Sequence, residues 1–148
     1  MKHEATVEWR LEGDMPSGRY SRAHSISFDG GAVVAGSPSP DIVPAPWSDA
    51  SAVDPEEMFV AALSSCHMLW FLDLSRRAGW VINSYCDHVV GEMTKNEAGA
   101  LWISRTTLSP EIDWADPSPD AAEVKRLHDE AHHACFIANS TKTEIVIA

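Results

Sequence analysis

A single mixed domain of strands and helices is what this chain of 148 residues predicts, and three stretches carry the expectation. Residues 4–12, Glu-Ala-Thr-Val-Glu-Trp-Arg-Leu-Glu, alternate polar and apolar, the period of a half-buried strand. From Asp54 to Gly79 runs a long apolar segment with helix signals at both ends. Residues 80–94 and 100–114 then read as the two arms of a β-hairpin around Asn96-Glu97-Ala98-Gly99. The length suits one domain, residues 1–148, and leaves no room for two independent cores.

The elements follow in order. After the first strand, residues 20–28 repeat the alternation around His24, Ile26 and Phe28, and Asp29-Gly30-Gly31 marks a turn, so the N-terminus reads as a β-meander. Pro38, Pro40, Pro44 and Pro46 make Gly36 to Asp54 an extended loop, too rich in proline for a helix or a central strand. Such long loops usually serve a site or drape over a partner. Asp54 suits a helix N-cap, Pro55 the first helical position, and Glu57 the third, where it completes a capping box. Arg76 and Arg77 complement the C-terminal end of the dipole, and Gly79 stops the helix. Between these signals apolar residues cover nearly every face, which predicts a helix buried on every face and a second subunit covering one side. After the hairpin, Ser118-Pro119-Asp120 starts a second helix through Val124, Leu127 and Ala131 to about Cys135, and Thr143-Glu144-Ile145-Val146-Ile147 forms a terminal strand.

Composition narrows the function. The net charge is −11, with 11 basic against 22 acidic residues and no basic run, so nucleic acid is not an expected partner. No signal-peptide stretch opens the chain, and the apolar run from Met58 to Leu74 is broken by Ser64, Ser65, His67 and Asp73. It falls short of the roughly 20 residues that span a bilayer, so no membrane partner is expected. Three cysteines make no disulfide scaffold, and a cytoplasmic protein with reduced thiols is the expectation.

Two cysteines carry the chemistry. Cys66 sits in Ser64-Ser65-Cys66-His67, a polar patch in an otherwise oily helix, which costs stability unless these groups have partners or a task. Cys135 ends the second helix. Three readings stand open: inert core thiols, metal ligands, or a redox pair. The metal reading rests on His128, His132 and Cys135 at i, i+4 and i+7 of one helix face. His128-Asp129-Glu130-Ala131-His132 lacks the glutamate of the zinc-protease motif, and without metal chemistry that face reads as half-exposed. His67 points about a quarter turn from Cys66 and reads as a hydrogen-bonded core histidine. Cys86, without basic neighbours, reads as structural. The helix dipole fades before Cys66, so a thiolate there needs a cation from elsewhere. Arg19 and Arg22 are the candidates. Arg22 is preferred because Tyr20-Ser21-Arg22-Ala23-His24 alternates like a strand, whereas Arg19 follows a Ser17-Gly18 turn. Trp47 in the proline loop is a possible site-lining residue.

The segment from Asp54-Pro55-Glu56-Glu57 to Ser64-Ser65-Cys66 resembles the Asn-Pro-Glu…Ala-Cys helix of the OsmC/Ohr family, the osmotically inducible and organic hydroperoxide resistance proteins. The ten-residue step from Glu56 to Cys66 is reproduced, as is a second cysteine, Cys135, ahead of a terminal Thr-Glu-Ile strand. The resemblance implies an α+β fold, an intertwined homodimer and thiol-dependent reduction of organic hydroperoxides. It implies a peroxidatic Cys66, a resolving Cys135, and Glu56 as the carboxylate that orients an arginine, here Arg22. The leading reading adds an external dithiol reductant and expects no cofactor or metal. A non-catalytic module binding an apolar ligand, and a His/Cys metal protein, remain the alternatives. Met58, Leu63, Leu69 and Trp70 make the expected pocket apolar, favouring bulky hydroperoxides over hydrogen peroxide. The Glu56–Cys66 step corresponds to about 15 Å of helical rise, which suggests a site shared between two subunits, with a kink at Ser64-Ser65 as the competing explanation.

Overall fold

The computed structural model describes all 148 residues, which divide into two compact units, Met1–Met58 and Phe59–Ala148. The first contains β1 (Ala5–Trp9), the two-residue strands β2 (Gly13–Asp14) and β3 (Arg19–Tyr20), β4 (His24–Phe28) and β5 (Val33–Gly36). β1 and β5 flank β4 in an antiparallel sheet, so the alternating pattern of residues 4–12 does form a strand, but one cut short after Trp9 and exposed along its length rather than half-buried. The turn between β4 and β5 uses Gly31 at φ +88°, in the left-handed region that glycine enters without a Cβ clash.

From Gly36 to Asp54 the chain is irregular, as its prolines dictate, but it is tied down by backbone bonds. Ser37 N–H donates to Val53 O at 3.1 Å, and Val53 N–H donates to Ala35 O at 3.0 Å. The buried Ser37 hydroxyl also accepts from Asp49 N–H at 2.8 Å. The capping box forms as read. Asp54 Oδ1 accepts from Glu57 N–H at 2.7 Å, and Glu57 Oε2 accepts from Asp54 N–H at 3.0 Å.

Helix α1 (Pro55–Arg77) starts there and carries 23 residues. The second unit adds β6 (Ile82–Asp87), β7 (Val90–Lys95), β8 (Leu101–Leu108), β9 (Pro110–Trp114), α2 (Ala121–Ala134), a 3-10 turn (Ala138–Ser140) and β10 (Glu144–Ile147). The predicted hairpin turn is present, with Asn96 Oδ1 accepting from Ala98 N–H and Ala100 N–H, each at 3.0 Å. Its arms, however, break in two. β7 pairs with β8, and β10 joins β8 in parallel, while β6 and β9 form a separate ladder. At the break Ser109 N–H donates to the Asp87 carboxylate at 2.6 Å, and Pro110 has no N–H to give the ladder.

Two expectations about α1 change. Within the chain only one stripe of it is buried: Leu63, His67, Phe71 and Ser75, at steps of four. Leu69 is 60% exposed, so a helix apolar on every face is not buried on every face by its own chain. The helix also outruns the Met58–Leu74 stretch. It is long and apolar enough to cross a membrane by length and composition, a test that core helices also meet.

The core of the second unit lies where α1 meets α2. Phe71, Leu127 and Ala131 are its buried centre, surrounded by Trp80, Ile82, Tyr85 and Trp114. The second helix starts at the predicted Ser118-Pro119-Asp120, with Asp120 as its cap, accepting from Glu123 N–H at 2.8 Å. Phe71 is fully buried and touches Tyr85, Trp114 and His128, with ring centres 5.9, 5.9 and 4.1 Å away. Phe71→Ala should therefore cost about 3–5 kcal/mol of unfolding free energy, measured by urea denaturation. A loss below about 1 kcal/mol would show that the α1–α2 contact is not the core of this unit.

Candidate functional site

The α1–α2 crossing brings the two predicted cysteines together. Cys66, half-buried on α1, lies within hydrogen-bonding reach of Cys135, buried at the C-terminal end of α2, and both thiols are free. Cys135 leaves the helix with extended backbone (φ −65°, ψ 114°), and its N–H still bonds Ala131 O at 2.9 Å. The following 3-10 turn directs Ala138 N–H at its sulfur, 3.4 Å away. Burial pushes the Cys135 thiol up to about 11, and the hydrogen bond to Cys66 adds to this; the amides of Ala138 and Ile137 oppose it more weakly. Trp70, one turn after Cys66, meets exposed Phe136 edge to face, with ring centres 5.5 Å apart.

The rest of the polar patch also finds partners. His67 is buried, and its Nε2 lies 2.9 Å from Nδ1 of His128, which is itself 8% exposed. The ring centres are 5.3 Å apart and the planes differ by 10°, so the imidazoles meet edge to edge, nearly coplanar. Phe71 stacks on the face of His128. Ser64 donates to Asp87, whose other oxygen holds Ser109 N–H. The core-histidine reading of His67 therefore stands. The half-exposed reading of the His128 face does not: His128 and Cys135 are buried and only His132 is intermediate, because α2 turns this face onto α1. Sequence reasoning missed the roles of His128 and Asp87. The signal was the question that the patch itself raised, namely which distant groups satisfy Ser64 and His67.

Metal ligation at His128, His132 and Cys135 is not assembled. His128 Nδ1 is engaged by His67, and no three His, Cys, Asp or Glu side chains are placed to hold an ion. Cys86 is exposed, on β6 opposite Glu111, rather than packed in a core.

The predicted arginine and glutamate belong to the first unit. Arg22 lies between β3 and β4, not on a strand, and Arg19 occupies β3 opposite Asp14, which reverses the sequence reading of the two. Arg22 Nη1 donates to Gly18 O at 3.0 Å and to Tyr20 O at 2.5 Å, and the guanidinium sits 3.6 Å from the Tyr20 ring centre. Trp9 meets the Tyr20 edge, and these residues with His24, Met15 and Pro55 line a cavity of about 430 Å³. Glu56, half-buried in the first turn of α1, forms no ion pair with Arg22. Trp47 enters only through its carbonyl, which accepts from Arg22 N–H at 3.1 Å.

The dyad predicts a pH dependence. Burial lowers His67 to about 4, the charges of His128 and His132 acting in the same direction and Asp87 opposing; burial lowers His128 too, against Asp129 and Asp87. The folded state thus binds these protons less readily than the unfolded chain, whose histidines titrate near 6.5. Stability is complete above that value and is lost as pH falls toward the folded value. His67 alone should cost about 2 kcal/mol between pH 7 and pH 5, read from urea midpoints. An unchanged midpoint across that window would mean the dyad is readily protonated in the fold.

Comparison with known proteins bears on the family and the fold. The family model described as OsmC-like protein matches residues 48–148. An OsmC-like protein of unknown function from Vibrio cholerae is 41% identical, with TM-score 0.97, covering 100% of this chain and 98% of its own. The organic hydroperoxide resistance protein OsmC of Legionella pneumophila, at 13% identity and TM-score 0.72, covers 99% of this chain and 95% of its own. OhrB of Bacillus subtilis, an organic hydroperoxide resistance protein, shares 18% identity at TM-score 0.66, over 99% of this chain and 96% of its own. At such identities the latter two speak for the fold alone. No functionally curated protein matches the sequence. The chain belongs to the OsmC-like family and has its α+β fold.

Proposed function

We propose that this protein is a cytoplasmic thiol peroxidase that reduces organic hydroperoxides. The observation that carries the reading is that Cys66 of α1 and Cys135 at the end of α2 are close enough for one thiol to act on the other. Family membership, and the hydroperoxide resistance proteins among the fold relatives, support it. Cys66 as thiolate attacks one oxygen of the peroxide; the O–O bond breaks, the second oxygen leaves as an alcohol after taking a proton, and Cys66 becomes a sulfenic acid. The Cys135 sulfur then displaces that hydroxyl. Its thiol proton leaves with the hydroxyl as water, and the two cysteines are joined in a disulfide. An external dithiol reduces the pair. The raised pKa of Cys135 suits this order, since a thiol held protonated does not compete as the first nucleophile.

Arg22 is assigned to holding Cys66 as thiolate and stabilising the developing alkoxide, with Glu56 orienting it in an intertwined homodimer. Two features of the first unit suit Arg22 to this task. Its Nε and Nη2 groups make no bond within the chain, and it opens into the aromatic-lined cavity. The apolar surface that α1 leaves exposed, Leu69 included, suits a helix made to meet a second copy.

Cys66→Ser should abolish peroxide consumption, whereas Cys135→Ser should permit one turnover and then stall, its sulfenic acid persisting or over-oxidising; both are followed by peroxide assay and mass spectrometry. Wild-type multiple turnover by Cys66→Ser would end the redox assignment.

Shared sites are tested by mixing inactive Cys66→Ser with inactive Glu56→Ala subunits. In mixed dimers one of the two sites recovers both groups, and activity should return in part. No recovery in verified mixed dimers would mean that Glu56 serves the cysteine of its own chain.

A further inference from the structure

The second unit holds a cavity of about 650 Å³ that neither cysteine lines, within the ~300–1,000 Å³ range of small-molecule sites. Trp114 of β9, Val124 of α2 and Ile147 of β10 supply an apolar wall with one aromatic ring. Lys125 and Asp129 also line it, but Lys125 Nζ is 2.6 Å from Asp129 Oδ2, so their charges cancel and favour neither sign of ligand. The one deeply buried polar group in the lining is His128.

His128 is committed on one edge only. Its Nδ1 meets His67 Nε2 at 2.9 Å, Phe71 covers a face of the ring, and Nε2, on the far edge, has no partner in the chain. Burial also keeps this imidazole neutral, so a charged ligand group would meet no opposite charge here. Two neutral imidazoles share one N–H between them, which leaves two arrangements. If His128 Nε2 accepts a hydrogen bond, His128 carries its proton on Nδ1 and donates it to His67 Nε2; His67 must then carry its own proton on Nδ1. If His128 Nε2 donates, both protons move to the Nε2 positions. A ligand that donates at His128 therefore selects the protonation site of His67, the residue next to Cys66.

We propose that this cavity is a second ligand site, for a small uncharged aromatic molecule carrying a hydroxyl, a phenol in the simplest case. Its ring lies against the Trp114–Val124 wall, and its hydroxyl donates to His128 Nε2, fixing the His67–His128 pair with both protons on Nδ1. The site is distinct from the thiol pair, and its occupancy is read without any peroxide turnover, so it stands or falls separately from the peroxidase reading.

The experiment titrates p-cresol into the full chain labelled with ¹⁵N in its histidine rings, at pH 7.5, followed by NMR. The expected result is a saturable shift of the His67 and His128 ring nitrogens to the Nδ1-protonated pattern. Binding should be at least tenfold weaker for toluene, which lacks the hydroxyl, and for benzoate, which is charged. Val124→Phe, which fills the cavity and leaves both histidines in place, should abolish the shift. Should that variant not fold, transferred NOEs from p-cresol to Trp114 and the Val124 methyls in the wild-type protein locate the ligand instead. No saturable shift, equal affinity for toluene, retention of binding in folded Val124→Phe, or absence of those NOEs would each overturn the proposal.

Discussion

Everything chemical in the second unit depends on how α1 packs across α2. The contact is built on Phe71, Leu127 and Ala131, all buried, and it brings two pairs of side chains into register. Cys66 meets Cys135, and His67 meets His128. His128 and Cys135 are seven residues apart on α2, two turns on one face, while Cys66 and His67 are neighbours on α1. One helix therefore presents adjacent residues to partners about 10 Å apart along the other, and two unlike polar contacts are set by one apolar core. Loosening Phe71 would disturb both at once.

That packing also resolves the oddity of Ser64-Ser65-Cys66-His67 in an oily helix. Three of the four residues are matched: Ser64 by Asp87, Cys66 by Cys135, His67 by His128. An unmatched buried donor or acceptor costs about 1–3 kcal/mol, so unmatched groups here would consume much of the margin of a small domain. Ser65, the fourth, is exposed and needs no partner. Asp87 is the anchor on the sheet side. It holds Ser64 through one oxygen and the Ser109 amide through the other, so the point where the long hairpin breaks is also the point where it grips α1.

What the sequence made legible was local. The Asp54–Glu57 capping box, the Asp120 cap, the Asn96 turn and the Cys66–Cys135 candidates all sit in short motifs whose physics involves residues a few positions apart. Family resemblance extended this to the fold. What stayed hidden depends on distant partners. The hairpin breaks because a side-chain carboxylate replaces a ladder acceptor at Ser109, which alternation alone cannot foresee. Arg22 falls off the strand because β4 begins only at His24, whose Nδ1 lies 2.8 Å from the Arg22 carbonyl. His128 reads as a half-exposed helix position until α1 is laid against it. The apolar pattern of α1 failed more instructively. Periodicity reports how much of a helix must be covered, and the chain by itself covers one stripe, leaving Leu69 in the open.

The two units are chemically unequal, and the inequality bears on mechanism. The second unit supplies both sulfurs, yet burial and Cys66 itself are the main influences that raise Cys135, with only backbone amides opposing; no cation acts on it. A thiol held protonated in this way is a weak nucleophile unaided. The peroxidase proposal takes its cation from the first unit. Arg22 has guanidinium N–H groups free of protein acceptors, and an aromatic ring fixes its plane. Cation–π contact and two carbonyl bonds hold that charge without neutralising it, unlike a carboxylate partner, which would compete with a thiolate. The peroxidase proposal therefore rests on Arg22, an arginine without a carboxylate partner, as much as on either sulfur.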